Sequence, residues 1–435
     1  MKQLIKGLFS QILLLIVLFS TSCSEQKNEK SLKIIDVAGS VGGGRIIDIS
    51  EVAEDIRYIP LETAEYSLVG GRVRVLYEKG RIYITDQTSI LKIFDNEGKF
   101  LRNFDRRGRG PQEYLFPEVV YVSPQTGNLI INSLSTTRCV FKYDSTGKFI
   151  GKFATPENQR FSIDSPLWLD DNSYVSMIQS YKDKPESSAV VYDSLGKVKL
   201  FFPIPKLPPY QTFKELKLDM ALRNKDGSIT MVKGESDEKI ISNPDKPFLY
   251  RFKDKIRVVY DSNDSVLSIG SDLLVDTPYI FNFGKFRNYS MDRSLIDAAK
   301  GEHVSLIGRF KMMETDGFLL MQVALRDYAH EPYEKARAGG DGTYALNDSY
   351  AIFNKGNGKF SFLNQTEKGV LGFRENLMDG PPFWPTYVSY DNSMVMVITA
   401  ASLIEYANSH KVSEKLAKIV KNLKDTDNPI VVIAK

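Results

Sequence analysis

A six-residue phrase recurs at a fixed interval along this chain, and that recurrence constrains the fold more than any other feature. It reads Phe94-Asp95-Asn96-Glu97-Gly98-Lys99, then Tyr143-Asp144-Ser145-Thr146-Gly147-Lys148, then Tyr192-Asp193-Ser194-Leu195-Gly196-Lys197, with its glycines 49 residues apart each time. A degraded fourth copy runs from Phe353 to Lys359. Self-similarity at such a period marks stacked or radially arranged supersecondary units. Locally, an aromatic strand residue is followed by Asp, which starts a type I turn; Gly supplies positive φ, and Lys resumes the next strand. Each unit therefore contains a hairpin, and the chain reads as a repeated all-β protein.

Six runs look like the same strand in successive units: 81–86, 128–133, 173–178, 228–233, 317–322 and 394–399. Most follow a turn signal such as Lys79-Gly80, Asp226-Gly227 or Asp391-Asn392. Six equivalent strands predict six blades. A β-sandwich would not repeat one turn sequence at constant spacing, whereas radial repetition manages exposed sheet edges. The expected fold is an all-β, six-bladed β-propeller over 33–435. A helical insertion, about 401–423, precedes a closing strand at about 429–434, whose partner comes from 45–49 or 56–61. Leu416, Ile419, Val420 and Leu423 recur at helical spacing, and Lys411, Lys415, Lys418 and Lys421 fall on another face. That basic face reads as solvated, with contact to an anionic membrane as the alternative.

The start of the chain is an address. Lys2 and Lys6 precede an apolar run from Ile12 to Phe19, too short to span a bilayer, and the small residues Ser20-Thr21-Ser22 lead directly to Cys23. Residues 1–22 read as a signal peptide and 23–32 as a flexible tether. Without the two leader lysines the charge is close to balanced, so nothing draws the chain toward nucleic acid. Cys139 is the one other cysteine, which excludes an intrachain disulfide and suggests a small buried residue.

Several segments resemble a known family. They are Ile56-Arg57-Tyr58-Ile59-Pro60-Leu61-Glu62-Thr63, then Leu68-Val69-Gly70-Gly71, then Gly108-Arg109-Gly110-Pro111-Gln112-Glu113-Tyr114, and finally Asp427-Asn428-Pro429-Ile430-Val431. Together they resemble the six-bladed β-propeller lipoproteins of Bacteroidetes, related in fold to NHL-type and TolB-type propellers. The resemblance implies lipidation at Cys23, attachment to the bacterial envelope and the propeller fold; it implies no chemistry.

Arg102, Arg106, Arg107 and Arg109 form the densest basic cluster, and guanidinium forks suit carboxylate or phosphate. Arg106, Arg107, Arg109, Glu113 and Tyr114 are the candidate ligand-binding residues. In the alternative, Glu113 and Tyr114 tie down a shaped connection between blades. Arg337, Asp341, Trp384 and Tyr387 are candidate rim-loop residues, on 328–347 and 381–387. No His pair has metal spacing and no serine lies in a nucleophile elbow. No metal, cofactor or catalytic residue is therefore assigned. The expected function is binding of an envelope protein, carbohydrate or peptide through the central face. The alternatives are a polysaccharide- or lactone-acting enzyme working at the funnel, and a structural subunit of an envelope complex.

Overall fold

The computed structural model describes residues 32–435 apart from 87, 89, 134–137, 156–166, 180–186, 203–219, 224–228, 233–247, 261–262, 287–307, 326–327, 337–342 and 347. The expected leader, Cys23, Arg337 and Asp341 lie outside the described residues.

The recurring phrase does what its chemistry dictates. In each full copy the Asp side chain accepts backbone N–H groups two and four residues on: Asp95 from Glu97 and Lys99, Asp144 from Thr146 and Lys148, Asp193 from Leu195 and Lys197. Gly98, Gly147 and Gly196 take φ of 84°, 94° and 76°, the left-handed region that a side chain would strain. A bulge follows each turn. The phrase thus joins the third and fourth strands of a blade.

Six four-stranded antiparallel meanders result. Blade 1 holds Arg74–Glu78, Arg81–Thr85, Leu91–Asp95 and Phe100–Phe104. Blade 2 holds Val119–Val122, Leu129–Ser133, Cys139–Tyr143 and Phe149–Ala154, and blade 3 holds Leu167–Trp168, Ser173–Gln179, Ser187–Asp193 and Val198–Phe201. Blade 4 comprises Phe248–Phe252, Lys255–Val259, Ser265–Ile269 and Val275–Asn282; Lys33–Asp36 adds a fifth strand, parallel to the fourth. Blade 5 comprises Gly308–Glu314, Phe318–Ala324, Asp348–Asn354 and Phe360–Phe362. Blade 6 draws Tyr387–Val388, Met394–Ile398 and Ile430–Ala434 from the carboxy-terminal end and Ile56–Pro60 from the amino-terminal end. Ile430–Ala434 thus closes the ring between Met394–Ile398 and Ile56–Pro60. The other expected partner, 45–49, contributes only isolated bridges, Arg45 to Leu363 and Asp48 to Arg374.

One of the six expected marker strands is not a blade strand. Ile229–Val232 pairs with Met220–Arg223 in a separate hairpin, and the second strand of blade 4 is Lys255–Val259. The reason is local. An Asp-Gly turn before a β-branched run identifies a hairpin but not which one. The true blade turn bends at Lys253, φ 50°, without a glycine to announce it. The expected single helix is two, α1 (Ala400–Ser409) and α2 (Glu414–Val420). The chain turns extended at His410, and Ser413 caps α2 by accepting the Leu416 N–H. Both helices sit between the second and third strands of blade 6, and the hairpin Tyr333–Ala336/Thr343–Leu346 occupies the same position in blade 5.

Each blade interface is a core of its own. Tyr114, Phe141 and Tyr143 fill the space between blades 1 and 2, and Trp168, Tyr174 and Tyr192 that between blades 2 and 3. Met312, Phe281 and Phe353 join blades 4 and 5, and Ile82, Phe94, Val395 and Val431 join blades 1 and 6. Fully burying one such side chain contributes about 1.5–3 kcal/mol, so every interface is held by several. Cys139 is half-buried rather than buried, and packs at the edge of the blade 1–2 core.

Candidate functional site

The first strand of every blade lines the axis, and the first strands of blades 3 and 4, 4 and 5, 5 and 6, and 6 and 1 touch their neighbours. All six run in one direction. One end of the channel therefore carries the turns between first and second strands. The other carries the blade-to-blade connections and the insertions in blades 5 and 6.

At the turn end, residues from alternate blades meet across the axis. Asp254, in the blade 4 turn, accepts from Gln125 Nε2 of blade 2 at 2.5 Å and from the Tyr390 hydroxyl of blade 6 at 2.7 Å. Arg251 of blade 4 lies over the Tyr121 ring of blade 2, its guanidinium carbon 4.6 Å from the ring centroid. Around the rim, Lys79 Nζ donates to the Gln125 carbonyl, Asn128 to Asp171, Lys253 to Asp316, and Asn392 to Asp316. The turn end is thus closed by a hydrogen-bonded plate.

Glu78 sits beneath that plate at the end of the first strand of blade 1. It is buried, and its Oε1 accepts from the Tyr387 hydroxyl at 2.5 Å and the Tyr390 N–H at 3.1 Å. Burial pushes its carboxyl up to about 7, although both hydrogen bonds and Arg251 oppose the rise. The Tyr387 phenol is held well above its usual value, by burial first and then by Glu78. Arg251 donates from Nη1 to the Lys253 carbonyl, and its buried Nη2 has no hydrogen-bond partner among the described residues. The arrangement bridges the axis at this end and raises the proton affinity of Glu78.

The loop end is built differently. Residues 105–118 connect blades 1 and 2. Glu113 Oε2 accepts the Gly110 N–H at 2.8 Å, and a Cβ on Gly108 would stand 1.8 Å from that oxygen. Tyr114 is fully buried in the blade 1–2 core, and Tyr143 donates to the Gln112 carbonyl at 2.8 Å. Arg106 Nη2 reaches the Gly147 carbonyl at 3.3 Å, and Arg107 forks onto Asp105 and donates to the Thr88 carbonyl. Arg109 is exposed and has no hydrogen-bond partner among the described residues. The connections entering blades 1 and 2 also expose Tyr66, Leu68, Leu115 and Phe116. The structure therefore brings 106–114 into one tied-down connection with Arg109 free at its surface. Trp384 stacks on Tyr350 of blade 5 with centroids 3.9 Å apart, whereas Tyr387 lies in the channel on the first strand of blade 6.

Sequence reasoning did not single out Glu78, Gln125, Arg251, Asp254 or Tyr390. Their one signal is position: each stands at or just beside the turn that ends a blade's first strand. Two grooves of about 380 Å³ lie off the axis. One lies between Pro60–Thr63 and α2, the other between Arg45–Val52 and blade 5. Among the described residues, no group of His, Cys, Asp and Glu is arranged to hold a metal ion, and no helix is long and apolar enough to cross a membrane.

A family model described as a domain of unknown function, DUF4934, matches residues 32–435. A solved structure of a protein from Bacteroides fragilis described as exported shares the fold. Its TM-score is 0.61 at 15% identity, over 93% of this chain and 99% of that one. A DUF4221 family member from Bacteroides vulgatus aligns with a TM-score of 0.36 at 11% identity, over 71% and 84% of the two chains. Virginiamycin B lyase from Staphylococcus aureus aligns with 0.33 at 8%, over 88% and 99%. No curated protein matches the sequence.

Proposed function

From the premise that the chain belongs to the DUF4934 family, we propose that it is an exported, lipid-anchored propeller that binds a ligand or protein partner through its loop-bearing face. The observation that carries this reading is the closure of the other end. Gln125, Asp254 and Tyr390 are joined across the axis there, which favours approach from the side of the connections. That side also presents the exposed Arg109, which has no partner among the described residues, and the exposed apolar residues Leu68, Leu115 and Phe116, the mixture of anchors and a cation that recognition surfaces favour. Arg106, Arg107, Glu113 and Tyr114 then shape the surface more than they contact the ligand. The address rests on the leader ending in Ser22-Cys23, and a fold neighbour described as exported is consistent with it.

Two measurements test the proposal. Cys23→Ala should move the protein from the membrane fraction to the soluble one. A photo-crosslinking side chain at Phe116 should capture an envelope component that the same probe at Asp316, on the turn face, does not. Capture from Asp316 alone would reverse the assignment of faces. A catalytic reading, with a polysaccharide or lactone as substrate, has one observation behind it: Glu78, near-neutral in its proton affinity, stands close to Arg251. It requires Glu78→Gln to abolish turnover of such a substrate.

A further inference from the structure

We propose that the outer corner of blade 4 at the turn end rests on the lipid bilayer, so that the closed end of the channel faces the membrane and the loop-bearing face points away. The inference rests on the lipid-anchor reading above and adds an orientation to it.

The first described strand fixes where the tether joins the folded body. Lys33–Asp36 runs parallel to Val275–Asn282, with Lys33 opposite Tyr279 and Asp36 opposite Asn282. The fourth strand of a blade runs from the turn end to the loop end. Lys33, where the strand begins, is therefore its turn-side end. Residues 24–32 separate Cys23 from this strand. Nine residues span at most ~30 Å when fully extended, so an acylated Cys23 keeps this corner within that distance of the acyl chains.

The corner is apolar where it has no need to be. Leu32 is 48% exposed and Ile34 64%, and on the neighbouring strand and its turn Leu274 is 71% and Val275 39% exposed. Leu274 and Val275 stand at the turn end of their strand, whereas Leu32 and Ile34 begin beside its middle, so at about 3.3 Å per residue the four side chains spread over roughly 20 Å of the blade's outer edge. Alternate residues of the same segment are used inwardly. Ile35 is buried in the blade 4–5 core, and Lys33 donates to the Lys355 carbonyl. Ile34 and Leu274 do neither. Exposed apolar side chains beside a lipid anchor add buried area at the acyl boundary and so set how the body sits on the membrane. The bilayer is the occupant that a lipid-bearing Cys23, only nine residues of chain from this strand, specifies.

Hydrogen exchange on the full, lipidated chain tests this, in detergent micelles and then in vesicles of phosphatidylethanolamine and phosphatidylglycerol. Amides of 32–36 and 270–276 should exchange several-fold more slowly in vesicles, while those of 66–68 and 115–116 on the loop face should not change. Unchanged exchange at 270–276, or equal slowing on both faces, overturns the orientation. Leu274→Asp, in an exposed turn, should abolish the slowing while the protein stays in the membrane fraction. Should Ile34→Asp unfold the blade edge, Leu274→Asp alone decides. Retention of Cys23→Ala in the membrane fraction sinks the anchor reading instead, and the exchange pattern still reports whether blade 4 touches lipid.

Discussion

Tyr390 and Asp254 meet across the propeller axis, hydroxyl to carboxylate at 2.7 Å, although 136 residues and an intervening blade separate them. Asp254 also holds Gln125, so one carboxylate ties three alternate blades together. Tyr390→Phe keeps the ring and removes the bond. Both partners are partly solvated, so the expected loss is at the low end for a hydrogen bond, ~0.5 kcal/mol. The decisive measurement is a double-mutant cycle with Asp254→Ala, in which Tyr390→Phe should cost nothing once Asp254 is gone. Strictly additive costs would show that the turns do not meet in solution.

Glu78 makes stability depend on pH in the unusual direction. Burial raises its folded-state value to about 7 from an ordinary 4.5. Between those values the native state binds the proton that the unfolded state has released, so stability falls as pH rises through this window and levels off above it. Glu78→Gln retains an acceptor for Tyr387 and Tyr390 and cannot ionise. Relative to that variant, the wild type should lose about 1–3 kcal/mol between pH 5 and pH 8 in urea denaturation. Parallel pH profiles would show that Glu78 ionises as an ordinary carboxylate.

The architecture was legible in the sequence because turns are local. Asp95, Asp144 and Asp193 bond to backbone within four residues, so their spacing reports the repeat directly. The closing strand was legible because Ile430–Ala434 is a continuous apolar run, buried on both faces. The plate at the axis was not. Gln125, Asp254 and Tyr390 come from three blades, and each looks like any polar turn residue until the ring closes. Blade 4 was misplaced because its turn uses Lys253 in a conformation usually left to glycine. Tyr387 was expected on a rim loop because Pro381–Pro385 reads as irregular, and the two-residue strand behind it is too short to show alternation.

Glu314 is a buried electrostatic joint between blades 4 and 5. Fully buried, it accepts two hydrogen bonds from Arg257, one from Lys355, and one each from the Tyr250 and Tyr279 hydroxyls. Burial alone would raise its proton affinity, but Arg257 and then Lys355 hold it below the usual carboxylate value. Its contribution is therefore present above about pH 4.5 and is lost as pH falls through the lower folded-state value. Glu314→Gln leaves Arg257 and Lys355 without a counter-charge, and should cost about 3–5 kcal/mol at pH 7 by denaturant midpoint. A loss under ~1 kcal/mol would mean that water reaches the cluster.

The connection between blades 1 and 2 separates shape from contact within three residues. Gly108→Ala places a methyl against the Glu113 carboxylate, which must then release the Gly110 N–H and move away from the connection it ties down. Arg109→Ala removes an exposed side chain that bonds to nothing among the described residues. Gly108→Ala should therefore lower the melting temperature by several degrees, corresponding to ~1–3 kcal/mol, whereas Arg109→Ala should leave it unchanged. Crosslinking from Phe116 should respond in the opposite sense, weakened by Arg109→Ala at unaltered stability. If Arg109→Ala instead melts early and crosslinks normally, the guanidinium belongs to the scaffold, and recognition on the loop face rests on Leu68, Leu115 and Phe116 alone.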